Sequence, residues 1–297
     1  MIDPRDEQFP ARAESELSRR DFVALSVATG LAATRPASAA LAVTETEVSI
    51  PTADGTCDAA FFHPATGTHP AVLIWPDAFG LRPAMRAMGR RLAGEGYAVL
   101  VPNPFYRAAK GVVYESAANV DFQAPATRAK LGPMMASVTA AGAAEKDAAA
   151  FVAFLDARTQ VVDRDRKVGT QGYCMGGALT LRTAATVPER IGAAASFHGG
   201  GLVTDRPESP HLLAPRIRGR VYVGVAANDD QRQPDVKDKL REAFAAAKVP
   251  AEIEVYPARH GWCVPDMPTE AGAPIYSASE AERAWTKLLE LYRSALV

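Results

Sequence analysis

Six short, nearly continuous apolar runs recur along the chain, at Ala71–Trp75, Tyr97–Val101, Val168–Gly172, Ala193–Phe197, Val221–Ala226 and Ile253–Tyr256. A strand with one face in solvent alternates polar and apolar residues. Runs that stay apolar are strands covered on both faces, the mark of a parallel sheet. Between them lie Pro83–Glu95, Ala140–Leu155, Gly176–Thr186, Val236–Ala247 and Glu280–Leu296, each with apolar residues three and four apart. That spacing predicts helices with one buried face. Ser277 with Glu280, and Ser279 with Glu282, are candidate capping boxes at the start of the last one. Ahead of this block, Thr44–Ile50 and Thr56–Phe62 are β-type runs joined through Ala53-Asp54-Gly55, and Asp-Gly favours a tight hairpin turn. The prediction is an α/β fold: a mostly parallel sheet, helices on both faces, and an N-terminal antiparallel hairpin. Arg107–Thr139 is the least regular stretch and reads as a partly helical excursion over one rim.

With 297 residues, the chain is long enough for one large domain with a sizeable core or for two small ones, and no linker marks a split. A formal net charge of −1 leaves no electrostatic footprint for nucleic acid, and none is expected as a partner. The three cysteines, Cys57, Cys174 and Cys263, are an odd number, so at least one thiol stays free within a monomer. None belongs to a Cys-x-x-Cys pair, which removes the simplest zinc and thioredoxin-like readings. No metal or organic cofactor is expected.

Residues 1–39 differ from the rest. Ser18-Arg19-Arg20-Asp21-Phe22-Val23 leads into a mildly apolar stretch, Val23–Ala33, and then into Ala37-Ser38-Ala39. Paired arginines, a short apolar segment and a small-x-small site read as a twin-arginine export signal cut after Ala39. The alternative is an amphipathic surface helix capped by Ser18. The apolar stretch is too short to persist as a membrane anchor. The expected product is a periplasmic or secreted monomeric domain, residues 40–297, or a cytoplasmic one if the leader is not a signal.

The chemistry centres on Val168–Gly172, which runs into Tyr173-Cys174-Met175-Gly176-Gly177 and then a helix. This is a Gly-x-nucleophile-x-Gly elbow with cysteine as the nucleophile. A strained strand-to-helix turn needs Gly172 and Gly176 to lack bulk, because the backbones must approach closely. The turn lifts Cys174 to the sheet edge and points it at a helix N-terminus, where the dipole favours thiolate. The Met175 N–H is then aimed where an oxyanion would form. Gly-rich strand ends also occur in nucleotide-binding folds, but Gly172, Gly176 and Gly177 lack the G-x-G-x-x-G spacing.

A triad on this scaffold takes its acid and its histidine, in that order, from the ends of later strands. Val221–Ala226 ends in Ala227-Asn228-Asp229-Asp230, and Ile253–Tyr256 ends in Pro257-Ala258-Arg259-His260-Gly261. His198, at the end of Ala193–Phe197, is a candidate pocket residue, and so are Tyr173 beside the nucleophile and Trp262 just after the histidine. Cys263 and Cys57 read as buried structural thiols, and Trp75 as packing.

Gly172-Tyr173-Cys174-Met175-Gly176-Gly177, the aspartate after Val221–Ala226 and His260-Gly261 together resemble the dienelactone hydrolase family. Pro76-Asp77-Ala78-Phe79-Gly80 and Pro102-Asn103-Pro104-Phe105-Tyr106-Arg107 share that resemblance, which spans about Val48 to Leu291. It implies the α/β-hydrolase fold and a hydrolase of carboxylic esters or lactones that works through an acyl-cysteine. Cys174, Asp229 and His260 would be the triad, and the Ala78 and Met175 N–H groups the oxyanion hole. Asp77 falls where the family has a glutamate that helps to switch the thiol on. Arg107 matches one of two arginines that hold a substrate carboxylate. The other belongs just after the histidine, where this chain has Trp262-Cys263-Val264, and that departure suggests a less charged acyl group. The rival readings are an acyltransferase or peptidase on the same scaffold, and a catalytically silent binding domain.

Overall fold

The computed structural model describes residues 41–270 and 272–296, so the export signal read at residues 1–39 lies outside the described residues. The hairpin is formed by β1 (Val43–Thr52) and β2 (Gly55–Pro64), which pair antiparallel around the Asp54-Gly55 turn. Next come β3 (Ala71–Trp75), α1 (Pro83–Gly94), β4 (Ala98–Pro102), α2 (Pro125–Thr139) and α3 (Ala143–Asp156). They are followed by β5 (Val168–Tyr173), α4 (Met175–Thr186), β6 (Ile191–Phe197), β7 (Arg220–Ala226), α5 (Ala227–Arg232) and α6 (Val236–Ala246). The chain closes with β8 (Ala251–Tyr256), a small hairpin of β9 (Thr269–Glu270) and β10 (Ala273–Pro274), and α7 (Ala278–Ala295).

Eight strands form one sheet in the order β1-β2-β4-β3-β5-β6-β7-β8. β2 pairs antiparallel with β4, and every later pairing in that sheet is parallel. β3, β4 and β5 are buried at every position, as strands covered on both faces must be, with Thr170 and Gln171 the polar side chains among them. Two hydrophobic layers cover the sheet. Phe151, Leu179 and Phe244 bring α3, α4 and α6 to one face, while Met85, Leu92, Leu288 and Tyr292 bring α1 and α7 to the other.

β8 departs from the expected pattern. It is the edge strand, half-buried along most of its length. Its Glu252 and Glu254 reach Lys287 and Arg283 on α7. α2 is a helix whose periodicity does not show in the sequence. It buries only Leu131 and Val138 and carries Pro133 inside, so no apolar stripe forms. Ser277 sits at the N-cap of α7 as expected, but its hydroxyl makes no capping bond. Its carbonyl accepts the Ala281 N–H at 2.8 Å.

What positions the site is the order of the central strands. From β3 the chain steps to β4 on one side, then crosses to β5 on the other. The carboxyl ends of β3 and β5 therefore open side by side into a crevice, where ligands bind in open α/β sheets.

Candidate active site

Cys174 joins β5 to α4 with φ 51° and ψ −115°, a backbone conformation that costs a side-chain-bearing residue on the order of 1–3 kcal/mol. The surroundings enforce it. A Cβ added to Gly172 would meet the Gly176 carbonyl oxygen at 2.0 Å, and one added to Gly176 would meet the Trp75 oxygen at 2.3 Å. Glycine is required at both positions because strand, elbow and the neighbouring β3 touch backbone to backbone. The thiol is half-buried at the N-terminus of α4, on the wall of a cleft of about 740 Å³.

His260 lines the same cleft. Its Nδ1 lies 2.6 Å from Asp229 Oδ2, and its backbone N–H donates to Asn228 Oδ1 at 2.8 Å. Of the two adjacent aspartates, Asp229 reaches the imidazole, while Asp230 takes Lys237 Nζ at 2.6 Å. Both acids sit in α5, a single helical turn rather than an open loop. Burial works against a charged imidazole here. The nearby Cys174 sulfur and the Asp229 carboxylate outweigh it and push the His260 pKa up to about 10. Cys174, His260 and Asp229 thus lie together, with the imidazole between the sulfur and the carboxylate.

The turn after β3 faces Cys174 across the cleft through Asp77, Ala78 and Phe79. Among the described residues, the Ala78 and Met175 amides donate to no protein acceptor, which leaves both for an oxygen of a bound substrate.

His198 lies at the same edge with φ 40°, and it is buried. Its Nδ1 accepts the Cys174 N–H at 3.1 Å, so the ring proton sits on Nε2. Nε2 has no partner among the described residues. The ring meets His260 edge-on at 4.8 Å and Trp262 at 5.2 Å. Burial, and then the neighbouring His260, hold the His198 pKa well below the ordinary histidine value, so it stays neutral beside the charged imidazole.

The dienelactone hydrolase family model matches residues 57–296. The chain belongs to the dienelactone hydrolase family. It is 30% identical over 296 residues to the "Putative carboxymethylenebutenolidase" of Methylorubrum extorquens, covering 95% of this chain and 94% of that one. It is 28% identical over 234 residues to the carboxymethylenebutenolidase of Rhodococcus opacus, covering 78% of this chain and 83% of the other. The crystal structure of a "Putative Dienelactone Hydrolase" from Klebsiella pneumoniae superposes with a TM-score of 0.68 at 25% identity. That match covers 85% of this chain and 99% of the other. The chain is accordingly a hydrolase of the dienelactone hydrolase type.

Against that family background, four expected site residues stand differently in the structure. Arg107 is not in the cleft. Its guanidinium donates to Asp147 Oδ2 at 2.8 Å and to Asp54 Oδ2 at 2.8 Å, locking the turn after β4 to the hairpin and α3. Its reading as a carboxylate ligand is corrected, because both faces of the fork are already taken. Tyr173, next to the nucleophile, alternates to the opposite face of the sheet, where it stacks on Phe197 and its hydroxyl accepts Gln171 Nε2 at 2.6 Å. Trp262 is fully buried and stacks on Tyr256 at 4.7 Å, so it backs His198 rather than touching the cleft. Asp77 does line the cleft, but its carboxylate is held by Arg82 at 2.7 and 3.0 Å and by the Phe79 N–H at 2.9 Å.

Other site residues went unforeseen. Arg82 and Asp266 are one pair, met below. The apolar wall is the other: Phe79, Val120 and Phe122 from one side, Met135 from α2, and Met267 and Ile275 from the loop after His260. Those residues are scattered over the irregular segments, so no periodicity announces them.

Proposed function

We propose that this chain hydrolyses neutral carboxylic esters or lactones through an acyl-cysteine intermediate on Cys174. The observation that carries the reading is the convergence of a strained, half-buried Cys174 with the His260–Asp229 pair on one cleft wall. The Cys174 thiolate adds to the substrate carbonyl, and the carbonyl electron pair moves onto oxygen, where the Ala78 and Met175 N–H groups receive it. The tetrahedral adduct collapses as His260 protonates the departing alkoxide. Water then attacks the thioester, His260 takes its proton, and the adduct expels the thiolate and the free acid. Asp229 keeps the imidazole in the tautomer that both halves need. Each oxyanion donor is worth roughly 3 kcal/mol of transition-state stabilisation, so placement of the turn at Ala78 matters about as much as a catalytic side chain.

The cleft also supports the choice of a neutral acyl group. Its two charged bases, His260 and Arg232, both engage Asp229, and Arg107 is committed elsewhere. The rest of the lining adds no further cation: it mixes apolar side chains, the exposed ring of Phe122 among them, with neutral polar groups and with the carboxylates of Asp121 and Glu270, which disfavour a second negative charge. In the same proposal the leader at residues 1–39 directs export through the twin-arginine route, and the mature monomer acts outside the cytoplasm.

The test is steady-state kinetics on a panel of activated esters and lactones, some with a free carboxylate on the acyl side. Cys174→Ala is expected to abolish turnover while the circular dichroism spectrum stays unchanged. Neutral esters are expected to exceed their carboxylate-bearing analogues in kcat/KM. Undiminished hydrolysis by Cys174→Ala ends the mechanism, and a preference for the charged analogues ends the substrate assignment.

A further inference from the structure

Arg82 precedes α1, and its side chain is 0% exposed. Such burial of a guanidinium demands full pairing. Two carboxylates supply it from opposite sides. Nη1 and Nη2 donate to Asp77 Oδ1 and Oδ2 at 2.7 and 3.0 Å, and Nε and Nη2 donate to Asp266 Oδ2 and Oδ1 at 2.7 and 2.7 Å. Nη1 also approaches the Gly80 carbonyl at 3.4 Å. The far carboxylate is itself anchored, since Asp266 Oδ2 accepts the Ala117 N–H at 3.0 Å.

The segments joined are the ones the chemistry needs to keep in register. Asp77 and Gly80 bracket Ala78, the proposed oxyanion donor. Asp266 lies in the loop that follows His260, and Ala117 lies in the excursion before α2. The near end is tightened further, because Asp77 Oδ1 accepts the Phe79 N–H at 2.9 Å and the Asp77 carbonyl accepts the Gly80 N–H at 3.0 Å. Both Asp77 oxygens are thereby engaged, which fixes the orientation of that carboxylate within the turn. Buried ion clusters of this kind contribute little net stability compared with apolar packing of the same volume; what they supply is a fixed geometry. Arginine alone offers two planar forks for two carboxylates.

Building on the acyl-cysteine reading, we propose that Arg82 is a positioning residue, a guanidinium bolt that holds the Ala78 amide in place against the His260 loop. It touches no reacting atom. Its loss lets the turn drift, so acylation of Cys174 by esters suffers while the thiol itself remains reactive.

The experiment measures two reactions of Cys174 in the same preparations. Ester hydrolysis develops an oxyanion and depends on Ala78. Alkylation by iodoacetamide displaces iodide at a saturated carbon, develops no oxyanion, and reports only on the thiolate and His260. For Arg82→Lys, kcat is expected to fall on the order of 10²-fold, the loss typical of an oxyanion donor out of place, with KM within about threefold. Its alkylation rate and the pH profile of that rate are expected to match the parent. Asp266→Asn weakens only the far end of the bolt, and about a tenfold loss with the same split is expected, which keeps the test decisive if Arg82→Lys does not fold. Parallel loss of hydrolysis and alkylation overturns the proposal, because Arg82 would then act through the thiol or the fold at large. Unchanged kcat in both variants overturns it as well. If parent enzyme fully alkylated at Cys174 still hydrolyses ester, the acyl-cysteine reading has failed rather than the bolt.

Discussion

Replacing Gly172 by alanine adds one methyl group and tests whether the elbow's geometry is the source of activity. That methyl would sit 2.0 Å from the Gly176 carbonyl oxygen, 2.3 Å from its carbon and 2.6 Å from Thr180 Oγ1. Contacts under 3.0 Å essentially do not occur for a real Cβ, so strand and helix must separate by about 1 Å. Neither carbonyl atom can rotate away, because both belong to the backbone of the first turn of α4. Overpacking of a rigid site destabilises by roughly 1–3 kcal/mol, and a backbone obstacle places this variant at the upper end. A displacement of about 1 Å at a reacting atom lowers the rate by about 10²-fold. The expected result is a folded variant with Tm lowered by several degrees and kcat for a p-nitrophenyl ester down at least about 10²-fold. Gly200→Ala is the control, because nothing lies within 4 Å of the added methyl. It should leave both numbers alone. A Gly172→Ala enzyme with parental kcat and Tm would refute the claim that close backbone approach fixes the nucleophile.

Other outcomes follow from the same geometry. Asp229→Asn should lower kcat by roughly 10³–10⁴-fold in ester assays, since the imidazole loses the carboxylate that selects its tautomer. The Cys174 sulfur and then the Asp229 carboxylate raise the His260 pKa, so the stability of these pairings is fully present below the ordinary histidine value and is lost as pH climbs to about 10. The gap in Tm between parent and Asp229→Asn should therefore narrow between neutral pH and about 10, and a widening gap contradicts the charge assignment. Arg107→Ala should leave kcat and KM for neutral and carboxylate-bearing esters unchanged. It should nevertheless destabilise by about 3 kcal/mol in urea unfolding, because buried Asp147 loses its cation. Arg19→Lys with Arg20→Lys should retain the precursor in the cytoplasm in a fractionation assay, and unchanged export rejects the twin-arginine leader.

The fold was legible because the central strands are buried on both faces and so carry few polar residues to blur them: β3 and β4 have none, and β5 has Thr170 and Gln171. The edge strand β8 and helix α2 were harder for the converse reason, since each packs on one side only and its pattern is diluted. At the site, strand ends taken in order point to Cys174, to the Asp229-Asp230 pair and to His260, and only the family resemblance picks Asp229 from that pair. The structure shows the physical difference, which is that Asp230 is drawn to Lys237. Arg107 and Tyr173 misled because position along the chain fixes neither which face a side chain takes nor which partner claims it first. Asp54 and Asp147 lie 53 and 40 residues from Arg107, separations at which no local pattern signals a pair. Arg82 left a fainter trace, as a lone charge five residues after Asp77 in an otherwise apolar stretch, Ala78 to Met85.

His198 shows how much of a site depends on conformation. Its positive φ and its acceptor bond to the Cys174 amide place a neutral ring against His260. No side-chain periodicity carries that information.

The account stands most directly on whether substrate becomes covalently attached to Cys174. Mass spectrometry of enzyme quenched during turnover of a slowly deacylating ester should show one added acyl group, mapped by proteolysis to the peptide containing Cys174 and missing from Cys174→Ala. An unmodified Cys174 peptide at full turnover, or an acyl group found on another residue, contradicts it.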